Sequence, residues 1–350
     1  MEKVGIGVLS HAHGHVNTYC NEMKDYPDVE LIATWDDNEE RGRSAAEAYG
    51  LEFRRTLEEV VSDPNVDAVI ISSETNRHAD LVELATSHGK HILCQKPMAT
   101  TLADCDRIIA AVENSGVKFS MAFQMRQDPV NQKIRELVHE GAVGRIAMVR
   151  RRHSIGVLLN PDFVNGPTRW HIDPVANVGM FFDDAAHPAD WFLWIFGKPV
   201  SVMAEIDSVI TDVSPDDNGA AIFRFTDGMM GVVLNSSTTV AATATTEIYG
   251  DEGTIIQDWG DGVSSFADRP EGLAPLRMIR KGETKWTGCD LPSPHDHGRR
   301  IAAIPRPFID YILGVSDESI SACEGKASVE MVIGAYESAR SGTRVAFPLA

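Results

Sequence analysis

Residues 66–97 read VDAVIISSETNRHADLVELATSHGKHILCQKP. Two runs in this stretch, 66–72 and 91–95, are short, rich in Val and Ile, and apolar almost throughout. Strands covered on both faces have this composition. Between them, residues 76–88 place Leu81, Leu84 and Ala85 on one stripe, and Gly89 follows as a stop signal. Strand, helix and apolar strand in so short a span form a parallel βαβ unit. The alternation extends in both directions. Strand candidates at 4–9, 29–35 and 117–123, and helix candidates at 38–49 (opening at Asn38) and 102–115 (closing at Gly116), build a doubly wound parallel sheet.

Near residue 124 the pattern changes. A helix over about 129–140 leads to Gly141-Ala-Val-Gly144. Longer alternating strands follow at 145–154, 199–210, 218–226, 229–238 and 244–250, with Asp227-Gly228 as a hairpin turn. Successive strands without intervening helices predict an antiparallel sheet. Helices near 184–196, 296–313 and 324–340 complete this part. The expected fold class is α/β: a doubly wound parallel sheet in 1–123, and a C-terminal α+β domain with a mostly antiparallel open sheet in 124–350. The stretch 258–298, rich in Gly, Pro and Asp, reads as loop lying over a site or an interface, and His295-Asp-His297 falls within it.

Charge narrows the partners. The 350 residues carry a net charge of −19, which argues against nucleic acid and anionic membranes, since both need basic patches. Arg150-Arg151-Arg152 reads as a strand whose alternate side chains face solvent or form ion pairs. Five cysteines form no CxxC pair, no run reaches the roughly 20 apolar residues of a membrane span, and the N-terminus has no signal-like segment. These features read as a cytoplasmic protein with reduced thiols and a small-molecule substrate.

After the first strand comes Ser10-His-Ala-His-Gly-His15. Small residues at Ser10, Ala12 and Gly14 let the backbone approach a pyrophosphate at a helix N-terminus, although only one of the three is glycine. Three imidazoles at this spacing in a turn do not readily share one ion, so no metal is expected. The second strand ends in Trp35-Asp36-Asp37. An acid there accepts hydrogen bonds from adenosine ribose hydroxyls and repels a 2′-phosphate, favouring NAD, with Arg41 near enough to soften the preference.

Hydride transfer from an alcohol needs a group that polarises the oxygen, a base for its proton and a group that orients the base. Lys96 ends an apolar strand at the carboxyl edge of the parallel sheet, where such folds bind ligands. Far downstream lies Asp183-Asp-Ala-Ala-His187-Pro-Ala-Asp190. His187, with an ordinary pKa of about 6.5, suits a base at neutral pH. Asp183 and His187, four apart, share one helical face. Pro188 is tolerable only in a first turn, which sets Asp183 and Asp184 at or before the helix start. Asp190 then orients the imidazole or caps the helix. His153 at a strand end and Arg169-Trp170-His171 offer an aromatic face with polar neighbours, as a sugar ring requires; Trp170 and Arg169 suit a subunit interface equally well. Asp183, Asp184, His187 and His153 form the alternative of a divalent metal site.

In order and spacing, these segments resemble the Gfo/Idh/MocA family of oxidoreductases. Asp36 through Arg41 resembles the family's acid–x4–Arg segment, and Thr75-Asn76-Arg-His78 its helix-opening Pro/Thr-Asn-x-x-His. Gly89-Lys-His-Ile-Leu-Cys-Gln-Lys-Pro97 is similar to Gly-Lys-His-Val-x-x-Glu-Lys-Pro. Gln124-Met-Arg126-Gln-Asp-Pro129 followed by Glu140-Gly-Ala-Val-Gly144 resembles the domain crossover, and Gly179 through Asp190 the Gly-x-x-x-Asp-x-Gly-x-His-x-x-Asp block. There are three departures: the glycine-poor turn, Gln95 for Glu, and Ala185 for Gly. The resemblance implies a Rossmann domain binding NAD through Ser10, His13, Gly14, His15, Asp36, Arg41, Ser72, Thr75, His78, Gln95 and Lys96. It implies catalysis by Lys96, Asp183 and His187, and substrate contacts from Lys96, Gln124, Arg126, His153, Arg169, Trp170, Asp183 and His187. The implied reaction is NAD-dependent oxidation of a secondary hydroxyl of a sugar, sugar derivative or cyclitol. Two alternatives are an NAD-dependent glycosidase working through transient 3-keto oxidation and elimination, and a non-catalytic NAD-sensing regulator. The open sheet of the second domain suggests a homodimer or homotetramer.

Overall fold

The computed structural model describes residues 3–260, 267–289, 291 and 297–349, with the side chain of His297 left aside; His295 and Asp296 of the sequence reading lie outside the described residues. The chain forms two compact units. The first comprises Met1–Gln124, Val175–Asn177 and Ile301–Val329, and the second Met125–Pro174, Val178–Arg300 and Glu330–Ala350.

In the first unit, strands β1 (Val4–Leu9), β2 (Val29–Trp35), β3 (Glu52–Phe53), β4 (Ala68–Ile71), β5 (His91–Cys94) and β6 (Phe119–Met121) form one sheet in the order β3-β2-β1-β4-β5-β6. Every pairing is parallel. β1 and β4 are buried at every position, as their unbroken apolar runs require. Local chemistry sets the helix ends. Asn38 accepts the Arg41 amide at the start of Glu39–Tyr49, Thr101 accepts the Asp104 amide at the start of Leu102–Ser115, and Gly50 and Gly116 close those helices in the left-handed region.

The first unit also recruits the chain's later helices. Ile304, Phe308 and Ile309 join Val4, Ile6, Val8 and Tyr19 in one core. The Ile320 carbonyl accepts the Met121 amide at 2.8 Å, and Ser120 Oγ accepts the Ile320 amide at 3.1 Å, which covers the β6 edge. A single cut at 123/124 therefore leaves out a return of the chain. An amphipathic helix pattern does not say which sheet it will cover.

The second unit holds β7 (Ile146–Ser154), β8 (Ser201–Asp207), β9 (Asn218–Arg224), β10 (Met230–Ser236), β11 (Ala244–Gly250), β12 (Gly253–Asp258), β13 (Leu276–Arg280), β14 (Thr287–Cys289) and β15 (Val345–Ala346). Their order is β14-β13-β12-β11-β7-β10-β9-β8-β15, and among the described pairings only β7 with β10 is parallel. The expected Asp227-Gly228 hairpin joins β9 to β10, with Gly228 at φ 90°. The stretch read as loop instead contributes β13 and β14. Short strands punctuated by Gly and Asp carry little periodic signal. The expected helix at 296–313 is two helices, His297–Ala302 and Pro305–Leu313, divided before Pro305.

One face of this sheet carries the long helix Met180–Phe196, which packs against β7 and β10. On the other face Met203 is 39% and Ile222 46% exposed. The helix starts at Met180, earlier than Pro188 was expected to allow, so Pro188 lies in its interior. The reason is enclosure. Met180, Phe181 and Phe182 are buried, and the helix start has side-chain acceptors: Asp216 Oδ1 accepts the Phe181 amide at 2.5 Å and Tyr336 Oη the Phe182 amide at 3.0 Å. Tyr336 in turn donates to Asp216 Oδ2 at 2.6 Å. Packing and capping outweigh the backbone bond that Pro188 cannot make to residue 184.

Gly179 precedes the helix with extended backbone, and a Cβ there would stand 2.2 Å from Asp216 Oδ2 and 3.1 Å from Tyr336 Oη. Gly179→Ala should therefore destabilise the protein by about 1–3 kcal/mol, the cost of overpacking a filled site. Urea unfolding of the two forms checks this; an unchanged midpoint would contradict the capping arrangement.

Candidate active site

At the end of β1 the backbone turns through Ser10, buried with φ 74°, a region that non-glycine residues enter at some cost. Its hydroxyl compensates by accepting the Ala12 amide at 3.2 Å. Ala12 is buried, and nothing lies within 4 Å of where a Cβ on Gly14 would be, just before the helix His15–Met23. Ser72 props the turn from β4: its carbonyl accepts the His13 amide at 2.9 Å and its hydroxyl donates to the His13 carbonyl at 3.0 Å. The His13 and His15 rings meet edge to face at 4.3 Å. The His11 ring instead bonds Thr34 Oγ1 at 2.9 Å and Asn17 Oδ1 at 3.3 Å, and burial lowers its pKa.

Asp36 ends β2 as a buried carboxylate. It accepts the His11 amide at 2.7 Å, the Asn38 amide at 2.8 Å and Arg41 Nε at 2.8 Å, with Arg41 Nη2 2.7 Å from its other oxygen. Burial pushes its pKa up, but these bonds bring it below the ordinary carboxylate value.

Lys96 is 3% exposed at the end of β5. Gln95 beside it donates Nε2–H to Tyr19 Oη at 2.7 Å and accepts the Lys96 amide at 3.2 Å. His78 fixes the following residues. Its Nδ1 lies 3.0 Å from the Pro97 carbonyl and 3.2 Å from that of Met98, and its Nε2 lies 3.3 Å from the Ser73 carbonyl. Two acceptors against one place the proton of the neutral ring on Nδ1. Thr75 Oγ1 donates to Asn177 Oδ1 at 2.6 Å. Ser72, Thr75, His78 and Gln95 thus bond their own chain and shape the edge of the sheet. Gln124 Oε1 is buried with no hydrogen-bond partner among the described residues. A dinucleotide fits this set: small residues in the turn, open space at Gly14, a helix N-terminus for phosphate, and an acceptor at Gln124 awaiting a donor.

In the second unit, Asp183, Asp184, His187 and Asp190 are all buried on the helix Met180–Phe196. Asp183 Oδ2 is 3.4 Å from His171 Nδ1, and the His171 ring stacks on Trp170 with centroids 3.7 Å apart. His153, from the end of β7, has its ring 4.8 Å from that of His187, and its Nε2 is 3.8 Å from Asp184 Oδ1. Ser237 donates to Asp184 Oδ2 at 3.2 Å. The structure brings together His153, Trp170, His171, Asp183, Asp184 and His187 from the sequence reading, and adds Ser237.

Asp190, read from the sequence as orienting the imidazole or capping the helix, has an arginine partner. It takes Arg126 side-on, with Nη2 to Oδ1 at 2.6 Å and Nε to Oδ2 at 3.0 Å, so Arg126, expected on substrate, is held in a buried ion pair. Burying a lone carboxylate in a helix is costly, and a guanidinium offsets it. Arg169 is exposed and lines a cavity of about 380 Å³ with Asp173, Asp212 and Ser214. Of the arginine run, Arg150 pairs with Glu247, while Arg151 is 2% exposed and donates to Asn131, Thr246 and Gln257. Period two carries this signal: Arg151 and His153 share the strand face beneath the helix.

Two sequence models of one family match the chain. The oxidoreductase family with an NAD-binding Rossmann fold matches residues 4–123, and the GFO/IDH/MocA C-terminal domain matches 131–256. Among curated proteins, a myo-inositol 2-dehydrogenase of Thermotoga maritima is 29% identical over 73% of this chain and 74% of its own length. A levoglucosan dehydrogenase of Pseudarthrobacter phenanthrenivorans is 26% identical over 78% and 75%. Among solved structures, an oxidoreductase domain protein from Kribbella flavida superposes with a TM-score of 0.85 at 19% identity, covering 100% of both chains. The described residues contain no helix long and apolar enough to cross a membrane.

Burial lowers the His78 pKa from 6.5 to about 4. Between those values the unfolded chain binds a proton that the folded chain refuses, so stability falls as pH falls through this window. At about 1.4 kcal/mol per unit, the contribution is about 3 kcal/mol at most. His78→Gln should flatten the stability profile between pH 6.5 and 4 relative to wild type, measured by urea unfolding. Parallel profiles would assign the loss to other groups.

Proposed function

This chain belongs to the Gfo/Idh/MocA oxidoreductase family, and from that premise we propose that it oxidises a secondary hydroxyl of a sugar, sugar derivative or cyclitol with NAD. Bound NAD supplies the hydride acceptor. In this reading the Lys96 ammonium donates a hydrogen bond to the reacting oxygen and stabilises the negative charge that grows there. His187 accepts the hydroxyl proton. Asp183, beside His171, orients the substrate or the base. Trp170 and the imidazole of His171 offer a flat surface for the C–H face of a ring. The observation that carries the reading is the enclosed set of Asp183, His187, His153 and His171, which gives proton-handling groups a common, water-poor setting. Relatives named for inositol and levoglucosan oxidation support the substrate class. A second copy covering the open sheet face, as a dimer or tetramer, belongs to the same reading.

A second reading has its own observation. His153 with Asp184 is a further imidazole–carboxylate pair next to His187. Elimination from a transient keto sugar needs a base for a C–H proton in addition to the one that takes the hydroxyl proton. On this reading the aglycone leaves as its alcohol, water adds to the resulting unsaturated ketone, and the hydride returns from NADH to the keto carbon, so that NAD is regenerated and the glycoside is hydrolysed without net oxidation.

Both readings are testable with polyols, cyclitols and glycosides, following reduced nicotinamide by absorbance. Lys96→Met and His187→Asn should each lower kcat/KM by about 10²–10⁴; full turnover in either would remove that residue from the mechanism. Asp184→Asn separates the readings. If it abolishes glycoside cleavage while hydride transfer survives, elimination is favoured; if no glycoside is cleaved by wild type, simple oxidation stands.

A further inference from the structure

We propose that Asn235 is a further substrate-binding residue, whose side-chain amide oxygen accepts a hydrogen bond from a ring hydroxyl of the polyol other than the one oxidised. This rests on the reading above, in which the polyol meets Asp183 and His187, and adds to it a residue that sets specificity.

Placement comes first. Along β10 the buried residues are Gly231, Val233 and Asn235, every second position. This is the face under the helix Met180–Phe196. A Cβ on Gly231 would stand 2.7 Å from Phe192 Cε1, and Ser237, two residues beyond Asn235, donates to Asp184 Oδ2 at 3.2 Å. The strand register sets Asn235 opposite His153 on β7 and opposite Gly219 on β9. Registered neighbours project to the same face, so Asn235 and His153 stand side by side, about 4.8 Å apart along the sheet. The His153 ring is in turn 4.8 Å from that of His187. On the other flank Gly219 has no side chain, and a Cβ there would be 2.4 Å from Phe181 Cδ2, so an aromatic ring fills that space.

The chemistry of the position is an acceptor in want of a donor. Asn235 is 3% exposed, and its Oδ1 is buried with no hydrogen-bond partner among the described residues. An unpaired buried acceptor is destabilising, and a leucine of similar size would avoid the cost. The neighbours do not supply the donor. Phe181 has none, the Ser237 hydroxyl goes to Asp184, and His153 Nε2 lies 3.8 Å from that same carboxylate. A hydroxyl of the substrate does supply it. The amide is also suited to the task by being neutral. Asp183 and Asp184 can compete for a proton, whereas Asn235 accepts a hydrogen bond without taking the proton. A site built around such an acceptor rejects an analogue that lacks the hydroxyl, because the oxygen is then left buried and unpaired.

The test couples a change in the protein to a change in the substrate. The substrate is whichever of myo-inositol, levoglucosan and D-glucose wild type oxidises fastest with NAD. For wild type and Asn235→Leu, kcat/KM is measured on it and on each of its monodeoxy analogues that wild type turns over. Urea unfolding of both proteins accompanies the kinetics. The proposal expects Asn235→Leu to lose at least tenfold in kcat/KM on the parent, mainly through KM, with an unfolding midpoint unchanged or raised. For one analogue the two proteins should differ by less than threefold, since the hydroxyl that the amide held is gone. A smaller loss on the parent, or a loss shared by every analogue, overturns it and leaves Asn235 a packing residue. Where the Leu variant does not fold, Asn235→Ala is judged by the same kinetic thresholds. Wild type that oxidises none of the three removes the proposed function and this inference together, whereas oxidation that Asn235→Leu leaves unmoved removes the inference alone.

Discussion

The second unit is organised by the need to bury a helix that carries three carboxylates and an imidazole. Met180–Phe196 is enclosed along most of its length, and Asp183, Asp184, His187 and Asp190 are each under 5% exposed. A buried carboxylate without a partner costs several kcal/mol. The surrounding structure answers each one. Arg126 takes Asp190, Ser237 and His153 face Asp184, His171 faces Asp183, and Asp216 with Tyr336 caps the first turn. These requirements draw residues from β7, from the segment 169–172, from the end of β10 and from the last helix onto one element. The carboxylates are fixed as a consequence, because each faces a neighbour that is itself packed.

In the first unit the corresponding constraint is the carboxyl edge of the parallel sheet. Strand ends there carry free backbone and must be tied by something other than the ladder. Ser72 ties β4 to the turn after β1, and His78 ties Ser73 to Pro97 and Met98. Lys96 therefore leaves a main chain held on both sides, by Gln95 before it and His78 after it. Ser72, His78 and Gln95, which the resemblance places on the cofactor, hold these strand ends.

Much of this was legible in the chain. The unbroken apolar runs at 4–9 and 66–72 marked strands covered on both faces, and Asn38, Gly89 and Gly116 marked helix ends. The spacing of Asp183 and His187 places them on one helical face. What was not legible depended on enclosure. Pro188 looked like a helix start because local rules assume that lost backbone bonds matter more than packing. The pairing of Arg126 with Asp190 was not visible because nothing in the segment around Arg126 reveals Asp190. The arginine run was read as a strand with alternate side chains in solvent or in ion pairs; Arg150 is paired, and Arg151 and Arg152 are both buried. The return of 301–329 to the first unit is a matter of tertiary choice, which no local pattern encodes.

The departures from the family's motifs share a physical logic. A glycine after the first strand would enter the left-handed region freely; Ser10 enters it at a cost of roughly 1–2 kcal/mol, offset by the bond from its hydroxyl to the Ala12 amide. A glutamate at position 95 would bring a charge into a fully buried position; Gln95 is neutral there, and its amide both donates to Tyr19 and accepts from Lys96. In each case a side-chain hydrogen bond does what backbone freedom or charge would otherwise do. Geometry kept in this way depends on neighbours, since Ser10 also approaches Asp36, and Gln95 needs Tyr19. The carboxyl edge of the parallel sheet is thus a coupled network, in which a change at Tyr19 or Asp36 reaches Lys96 or the turn after β1 through one intervening side chain.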